Sequence, residues 1–167
     1  MPVAVVTGSN KGIGFATVRA LCSKFQGDVI LTSRDETRGR EAVESLKKEG
    51  LNPKYHVLDI CDEDSVQQLY DYLKKNYAGI DVLVNNAGIA FQPNAPESLA
   101  EQAKITLKTN YWSSKRVCET LFPLLRPGAR VVNVSSSMGH LSWLVGPRGG
   151  DQVGRRKNKS IVKFVYR

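Results

Sequence analysis

Five short apolar segments alternate with helix-forming segments between residues 3 and 135, and this alternation constrains the fold more than any other feature of the sequence. The predicted strands are rich in β-branched residues and cover 3–8, 28–33, 54–59, 81–86 and 129–135. The predicted helices cover 11–25, 36–49, 62–77 and about 97–125. Because strands joined through helices make right-handed crossovers, the pattern predicts an α/β fold with one doubly wound parallel sheet, in strand order 3-2-1-4-5.

Two of the helices have an apolar face that can be read from the sequence. In the first helix, positions 13, 16, 20 and 21 are predicted to face the sheet. In the third, Asp62 is predicted to cap the amino end, and positions 66, 69, 70, 73 and 77 form the apolar stripe.

The turn after the first strand, TGSNKGIG, contains Gly8, Gly12 and Gly14 between a predicted strand and a predicted helix. Glycines at such a turn allow the backbone to approach a pyrophosphate, whose charge the helix amino terminus stabilises. Glycines also serve packing alone, but the strand before them and the helix after them favour a dinucleotide site. The turn therefore predicts a Rossmann-type domain, with the spacing G-x-x-x-G-x-G rather than the common G-x-G-x-x-G.

Two cations lie at positions that can distinguish NADP from NAD. Arg34 stands 20 residues after Gly14, at the place where an acidic residue would bind the ribose diol of NAD, and Lys11 lies inside the glycine turn. Both could be ordinary surface cations, and Asp35 is adjacent. Two positive charges at these places nevertheless suit a ribose 2′-phosphate, so the sequence predicts NADPH.

Five motifs occur in the order and spacing of the short-chain dehydrogenase/reductases: TGSNKGIG, LDI (58–60), NNAG (85–88), TN (109–110) and NVSS (133–136). The stretches LTSRDETRGREAV and DVLVNNAGIAF resemble the cytosolic NADPH-dependent carbonyl reductases of animals. The resemblance covers about residues 1–137. It implies reduction of small carbonyl compounds (ketones, aldehydes and quinones) to alcohols with NADPH in the cytoplasm, with glutathione or its conjugates as further partners.

The resemblance also assigns roles to positions of this sequence. Ser136 would hydrogen-bond the substrate carbonyl, and Asn110 would hold a water molecule of the proton relay. Phe91 and Gln92 would border the substrate. The implied cofactor-binding residues are Gly8, Asn10, Lys11, Gly12, Ile13, Gly14, Arg34, Asp59, Ile60, Asn86 and Gly88.

The family's catalytic tyrosine, with a lysine four residues later, has no counterpart after Ser136, where Tyr166 is the sole tyrosine. Two earlier matches, Tyr70 with Lys74 and Tyr111 with Lys115, precede the serine and are interpreted as coincidental. The fold is therefore expected to be incomplete on its C-terminal side. The chain is interpreted as a carbonyl reductase represented by an incomplete sequence, with two alternatives: a catalytically inactive isoform that binds NADP(H) or a partner, or a fragment without function.

The net charge of +8 is concentrated at the end of the sequence. Residues 147–167 hold seven of the 24 Lys and Arg residues and a single acid, Asp151. The sequence thus predicts an NADP-binding domain over 1–146 and a basic, disordered tail over 147–167. RRKNK in this tail is either a solvated stretch or a weak signal for an acidic partner.

The cysteines and the lengths of the apolar runs limit the cellular location and the ligands that the sequence predicts. Three cysteines without metal-ligand spacing favour a reducing compartment and predict no metal site. No apolar run is long enough to predict a membrane span.

Overall fold

A computed structural model describes residues 1–136 of the chain. Five parallel strands form one sheet in the order β3-β2-β1-β4-β5, which confirms the predicted order. The strands are β1 (Val3–Val6), β2 (Asp28–Ser33), β3 (Lys54–Val57), β4 (Ile80–Asn85) and β5 (Leu125–Asn133). Two predictions lie outside the described residues: the domain boundary at 146 and the basic, disordered tail over 147–167.

Helices connect the strands as the alternation predicts. They are α1 (Gly12–Lys24), α2 (Glu36–Lys48), α3 (Glu63–Tyr77), α4 (Leu99–Thr106) and α5 (Ser114–Leu121). A π-helical stretch, Leu107–Ser113, joins α4 to α5, and a 3₁₀ turn, Phe122–Leu124, follows α5. The predicted helical region over 97–125 therefore contains three kinds of helix.

The two faces of the sheet are covered by different helices because side chains alternate along each strand. Val3 and Val5 of β1 pack with α3 and α5 on one face. Ala4 and Val6 pack with α1 and α2 on the other. This two-sided burial explains why the central strands consist of continuous apolar residues.

The stripe of α3 is confirmed, whereas the predicted face of α1 is wrong at three of its four positions and right at Leu21. Asp62 caps α3 by accepting a hydrogen bond from the Asp64 amide, and the five predicted positions pack on the core. In α1, Ile13 is 66% exposed, and Ala16 and Ala20 are also exposed. The face towards the sheet is formed instead by residues 14, 18, 21, 22 and 25, together with the half-buried ring at 15.

Strand β5 begins earlier than predicted because it includes an irregular segment. Ile80 pairs with Leu125, but Val82 already pairs with Arg130, so four residues of β5 oppose one residue of β4. Arg126 within this bulge forms a salt bridge with Asp81 and donates to the Tyr77 carbonyl. The bulge therefore ties the start of β4 to the end of α3.

A second set of polar contacts lies at the amino-end edge of the sheet. The carboxylate of Asp28 lies 2.6 Å from the Lys54 ammonium and accepts a 2.8 Å hydrogen bond from the Tyr77 hydroxyl. These contacts join the starts of β2 and β3 to the end of α3. They lie at the edge opposite to the glycine turn, which follows the carboxyl end of β1.

Among the helices of residues 1–136, none combines the length and the apolar character needed to cross a bilayer.

Candidate functional site

The glycine turn and the NNAG turn follow neighbouring strands, β1 and β4, and hydrogen bonds join them. The hydroxyl oxygen of Thr7 accepts from the amides of Asn86 and Ala87, each at 3.0 Å. The side-chain amide of Asn86 donates to the carbonyls of Thr7 and Gly8, each at 2.9 Å. The two turns are thereby fixed as one unit at the carboxyl edge of the sheet, which is where open α/β sheets bind ligands.

Gly8, Gly12 and Gly14 have separate structural reasons to be glycine. Gly8 and Gly12 both have φ near +60°, which side chains rarely adopt. A Cβ at Gly14 would lie 2.4 Å from Asn86 Nδ2 and 2.8 Å from Ser9 Cα. The turn thus depends on glycine for its backbone conformation and for the close approach of α1 to the NNAG turn.

Ser9 is a structural residue of this turn that no sequence pattern singled out. Its hydroxyl is fully buried, donates to the Val6 carbonyl at 2.8 Å and accepts from the Thr32 amide at 3.0 Å. The Ser9 amide donates to the Thr32 carbonyl at 2.8 Å. Ser9 therefore joins the carboxyl ends of β1 and β2.

The amino terminus of α1 has no side-chain cap. Lys11 stands at the cap position in an extended conformation, and no side chain of residues 1–136 accepts from the first-turn amides. Ile13, in this first turn, exposes its side chain. Uncapped amides together with the helix dipole form an environment suited to an anion.

Two cations lie among the residues that line an open cleft of about 550 Å³ between α1 and α2. Asn10, Lys11 and Arg38 line the cleft, as does one acid, Glu41. Arg34 is exposed at the end of β2, and no ion-pair partner for it occurs within residues 1–136. Sequence reasoning missed Arg38, although its position four residues after Arg34 on α2 was a usable signal.

Asp59 and Ile60, which follow the carboxyl end of β3, differ in what they can offer to a ligand. Asp59 is half-buried, and one of its carboxylate oxygens accepts from the Cys61 amide at 2.8 Å. The side chain of Ile60 is only 7% exposed and belongs to the core between the sheet and α3. Ile60 thus offers its backbone, not its side chain, to this edge of the sheet.

Asn110 lies in the π-helical stretch, and its side chain is bound to the loop after NNAG. Its Oδ1 accepts from the Ile89 amide and its Nδ2 donates to the Ile89 carbonyl, both at 2.8 Å. Gly88 packs against it, since a Cβ there would lie 3.2 Å from Asn110 Oδ1. The irregular helix, which is typical of functional positions, therefore positions this loop.

The end of β5 lies beside the NNAG turn. Asn85 donates to Asn133 Oδ1 at 2.8 Å and to the Cys118 sulfur at 3.2 Å, and the Val134 amide donates to the Asn85 carbonyl. Burial raises the pKa of the Cys118 thiol, so the thiol that accepts from Asn85 stays neutral. Ser136 follows two residues after Val134 and is exposed.

The loop between β4 and α4 contains Phe91, which is half-buried, and Gln92, which is exposed. The Gln92 carbonyl accepts from the Ala95 amide at 3.0 Å, which closes a turn that includes Pro93. The loop leaves the same edge of the sheet as the NNAG turn, and α4 begins after it with a capping box formed by Ser98 and Glu101.

The two early tyrosine–lysine matches lie in different surroundings. Tyr70 packs against the core beneath α3, with Lys74 over its ring. Tyr111 is 53% exposed and packs edge-on against Trp112, while Lys115 forms a salt bridge with Glu119.

The fold and the joined turns define a dinucleotide-binding α/β protein, and comparisons with known proteins identify its family. The family model described as short chain dehydrogenase matches residues 2–147, so the chain belongs to the short-chain dehydrogenase family.

The matches with mammalian relatives cover most of this chain but only about half of each relative's own length. Carbonyl reductase (NADPH) 3 of Mus musculus is 56% identical over 137 residues, which are 82% of this chain and 50% of the relative. Carbonyl reductase (NADPH) 1 of Homo sapiens is 57% identical over 136 residues, or 81% of this chain and 49% of the relative. The chain thus spans about half the length of these relatives.

Among solved structures, salutaridine reductase from Papaver somniferum superposes with a TM-score of 0.77 at 37% identity. The match covers 86% of this chain and 60% of that one. The structural likeness and the family assignment agree.

Proposed function

We propose that this chain forms the nucleotide-binding part of an NADPH-dependent carbonyl reductase. The observation that carries the proposal is the joined pair of turns at an uncapped helix amino terminus, with the cation Arg34 at the end of β2. The names of the mammalian relatives, which are carbonyl reductases of NADPH, support the same cofactor and the same reaction class.

Each part of the cofactor has a proposed place along the carboxyl edge. The pyrophosphate would lie against the glycine turn and the first amides of α1. The 2′-phosphate would contact Arg34, Lys11 and Arg38, because charge-assisted hydrogen bonds favour a phosphate over a ribose diol. The remaining places along this edge, which include the adenine and its ribose, are proposed for the following residues: Asn10, Ile13, Asp59, Asn86, Gly88 and the backbone of Ile60.

The Asn86 assignment is limited by what the structure uses already. Both hydrogens of its side-chain amide are donated to the glycine turn. Its Oδ1 and its backbone are therefore the groups that we propose for the ribose, and its larger role is to hold the turn.

The reaction is a reduction in which NADPH, when bound, would supply a hydride to the carbonyl carbon. The Ser136 hydroxyl would donate a hydrogen bond to the carbonyl oxygen, where negative charge develops. Asn110, through both of its hydrogen bonds to Ile89, would hold the loop that leads to Phe91 and Gln92. This loop is the proposed contact for the substrate and for glutathione or its conjugates.

The oxygen also requires a proton, and the family supplies it from a tyrosine whose pKa a nearby lysine lowers. The sequence shows no such pair after Ser136. We therefore expect the 167-residue polypeptide, expressed by itself, to bind NADPH but to reduce menadione near the background rate. Loss of a general acid removes about 10²–10⁴ in rate.

The assay is the loss of NADPH absorbance, compared for the parent polypeptide, Ser136→Ala and Tyr111→Phe. Robust turnover that Tyr111→Phe abolishes would show that Tyr111 and Lys115 form the catalytic pair. Turnover that neither substitution changes would show that other groups carry the chemistry.

Cofactor choice is tested by calorimetry with NADPH and NADH. Arg34→Asp should weaken NADPH binding by about 10- to 100-fold, since hydrogen bonds to charged groups contribute about 1.5–3 kcal/mol. It should maintain or strengthen NADH binding, because an acidic residue at this position can bind the ribose diol, so the preference is reduced or reversed. The matched control is Lys24→Asp, which changes the charge equally at the far end of α1, about 18 Å from the glycine turn. Equal affinities of the parent chain for the two cofactors would contradict the assignment.

A second candidate function is binding of NADP(H), or of a partner protein, without catalysis. It is favoured by β5, which borders the sheet of the described residues and exposes Val132 and Val134. Exposed sheet borders promote association.

We place the protein in the cytosol. All three cysteines, Cys22, Cys61 and Cys118, are unpaired thiols, which supports a reducing compartment.

A further inference from the structure

The turn between β2 and α2 carries Arg34, and Arg38 lies in the first turn of α2. Hydrogen bonds fix the backbone on either side of Arg34. The Ser33 hydroxyl donates to the Asp35 carbonyl at 2.7 Å. The Asp35 side chain caps α2 by accepting from the Arg38 amide at 2.9 Å. The position of the Arg34 and Arg38 side chains therefore depends on how firmly Ser33 is held.

Tyr55 of β3 holds Ser33 from the side of the neighbouring strand. Its hydroxyl donates to the Ser33 carbonyl at 3.2 Å and lies 3.2 Å from the Ser33 hydroxyl oxygen. Because the Ser33 hydroxyl hydrogen is already donated to Asp35, Tyr55 is the donor towards Ser33. Burial raises the pKa of Tyr55, so its hydroxyl keeps the hydrogen at neutral pH.

Gly39 brings α2 close enough for this arrangement. A Cβ at Gly39 would lie 2.2 Å from Tyr55 Cε2 and 2.4 Å from the Ser33 hydroxyl oxygen. Arg40, also on α2, lies over the ring, with its guanidinium carbon 5.6 Å from the ring centroid. The half-buried Tyr55 ring thus packs against α2, with its hydroxyl at Ser33 beside the turn.

We propose that Tyr55 is a positioning residue that sets the preference for NADPH over NADH by fixing the turn that presents Arg34 and Arg38. The inference rests on the proposed NADPH site. NADH has no 2′-phosphate, so its affinity does not depend on where these arginines lie. A looser turn should therefore weaken the binding of ligands with a 2′-phosphate and spare those without it.

The test compares Tyr55→Phe with the parent 167-residue chain. Calorimetry measures NADPH and NADH, and also the fragments 2′,5′-ADP and 5′-AMP, which isolate the 2′-phosphate. We expect NADPH and 2′,5′-ADP to bind about five-fold more weakly, as loss of one hydrogen bond of about 1 kcal/mol implies, and NADH and 5′-AMP to be unchanged. The control is Tyr70→Phe, which removes a tyrosine hydroxyl from α3 and should change no ratio.

The outcomes separate this inference from the proposed function. Equal binding of NADPH and NADH by the parent chain would refute the NADPH site and the inference together. Two other results would overturn the role of Tyr55 but leave the NADPH site standing. In one, Tyr55→Phe keeps the full preference of the parent chain for NADPH; in the other, it weakens the binding of all four ligands equally. If urea titrations show that Tyr55→Phe is already unfolded without urea, Ser33→Ala tests the same turn. The same selective loss is expected for it, and the same two results would contradict the inference.

Discussion

Thr7 is the residue whose hydroxyl joins the glycine turn to the NNAG turn, and replacing it with valine should destabilise the fold measurably. Thr7 is 2% exposed, and its hydroxyl oxygen accepts two backbone hydrogen bonds, from Asn86 and Ala87. Valine has nearly the same shape but no acceptor. The substitution therefore removes the acceptor of both amides while leaving the packing in place.

The magnitude follows from those two amides. A buried donor left without a partner costs about 1–3 kcal/mol. Asn86 and Ala87 are half-buried, so water replaces part of the loss, and the sum should lie at the low end, about 2–3 kcal/mol. This is a large part of the 5–15 kcal/mol by which a typical domain is stable, so the loss should be plain in an unfolding curve.

The assay is urea unfolding followed by circular dichroism, with Thr7→Ser as the matched control. Serine keeps the acceptor and loses one methyl group, which should cost about 1 kcal/mol. Calorimetry should also show weaker NADPH binding for Thr7→Val than for Thr7→Ser, because only valine releases the NNAG turn. Equal losses of stability in the two variants would refute the claim that the hydroxyl, rather than the buried volume, joins the turns.

Two further predictions concern other parts of the fold. Gly14→Ala should destabilise the chain more than Gly12→Ala in the same urea titration, because a Cβ at Gly14 meets Asn86 and Ser9. A Cβ at Gly12 meets no atom of the described residues, so Gly12→Ala costs only the backbone strain of about 1–2 kcal/mol. A larger loss of stability at Gly12 would contradict this. Burial alone would raise the pKa of Asp28, but hydrogen bonds from Lys54 and Tyr77 outweigh it and lower that pKa. The ionised Asp28 therefore stabilises the fold above its unfolded pKa of about 4, and this stabilisation is lost as the pH falls through the lower folded pKa. Asp28→Asn should thus unfold at lower urea than the parent at pH 7, with the gap closing in acid, and a gap that does not depend on pH would disprove the electrostatic origin.

The sequence by itself determined the order of elements and the order of strands. Alternating strands and helices leave few topologies once crossovers must be right-handed, so the order 3-2-1-4-5 could be predicted and is confirmed. Local signals were also sufficient at α3, where Asp62 caps the helix and the apolar stripe packs on the core. These features depend on residues within a few positions of one another.

Tertiary structure alone decided which side of α1 is buried. The sequence favoured Ile13 and the alanines, but the close approach of α1 at Gly14 to the NNAG turn fixes the rotation of the helix and leaves Ile13 exposed. Glycine carries no hydrophobic signal, so a pattern of apolar residues could not identify it as the contact point. Similarly, nothing local indicates the π-helical stretch that directs Asn110 towards Ile89.

The motifs TGSNKGIG and NNAG predicted where a site would form, but the contacts that hold it came only from the structure. Thr7 and Asn86 are separated by 79 residues, and Ser33 and Tyr55 by 22. The first pair meets because parallel strands bring their carboxyl ends to one edge of the sheet. The second meets because β2 and β3 are neighbours, with Tyr55 opposite Leu31 and therefore close to Ser33. Which side chain bonds to which backbone group there depends on strand register and on the distance between helix and sheet, and those are set by the packing of the whole domain.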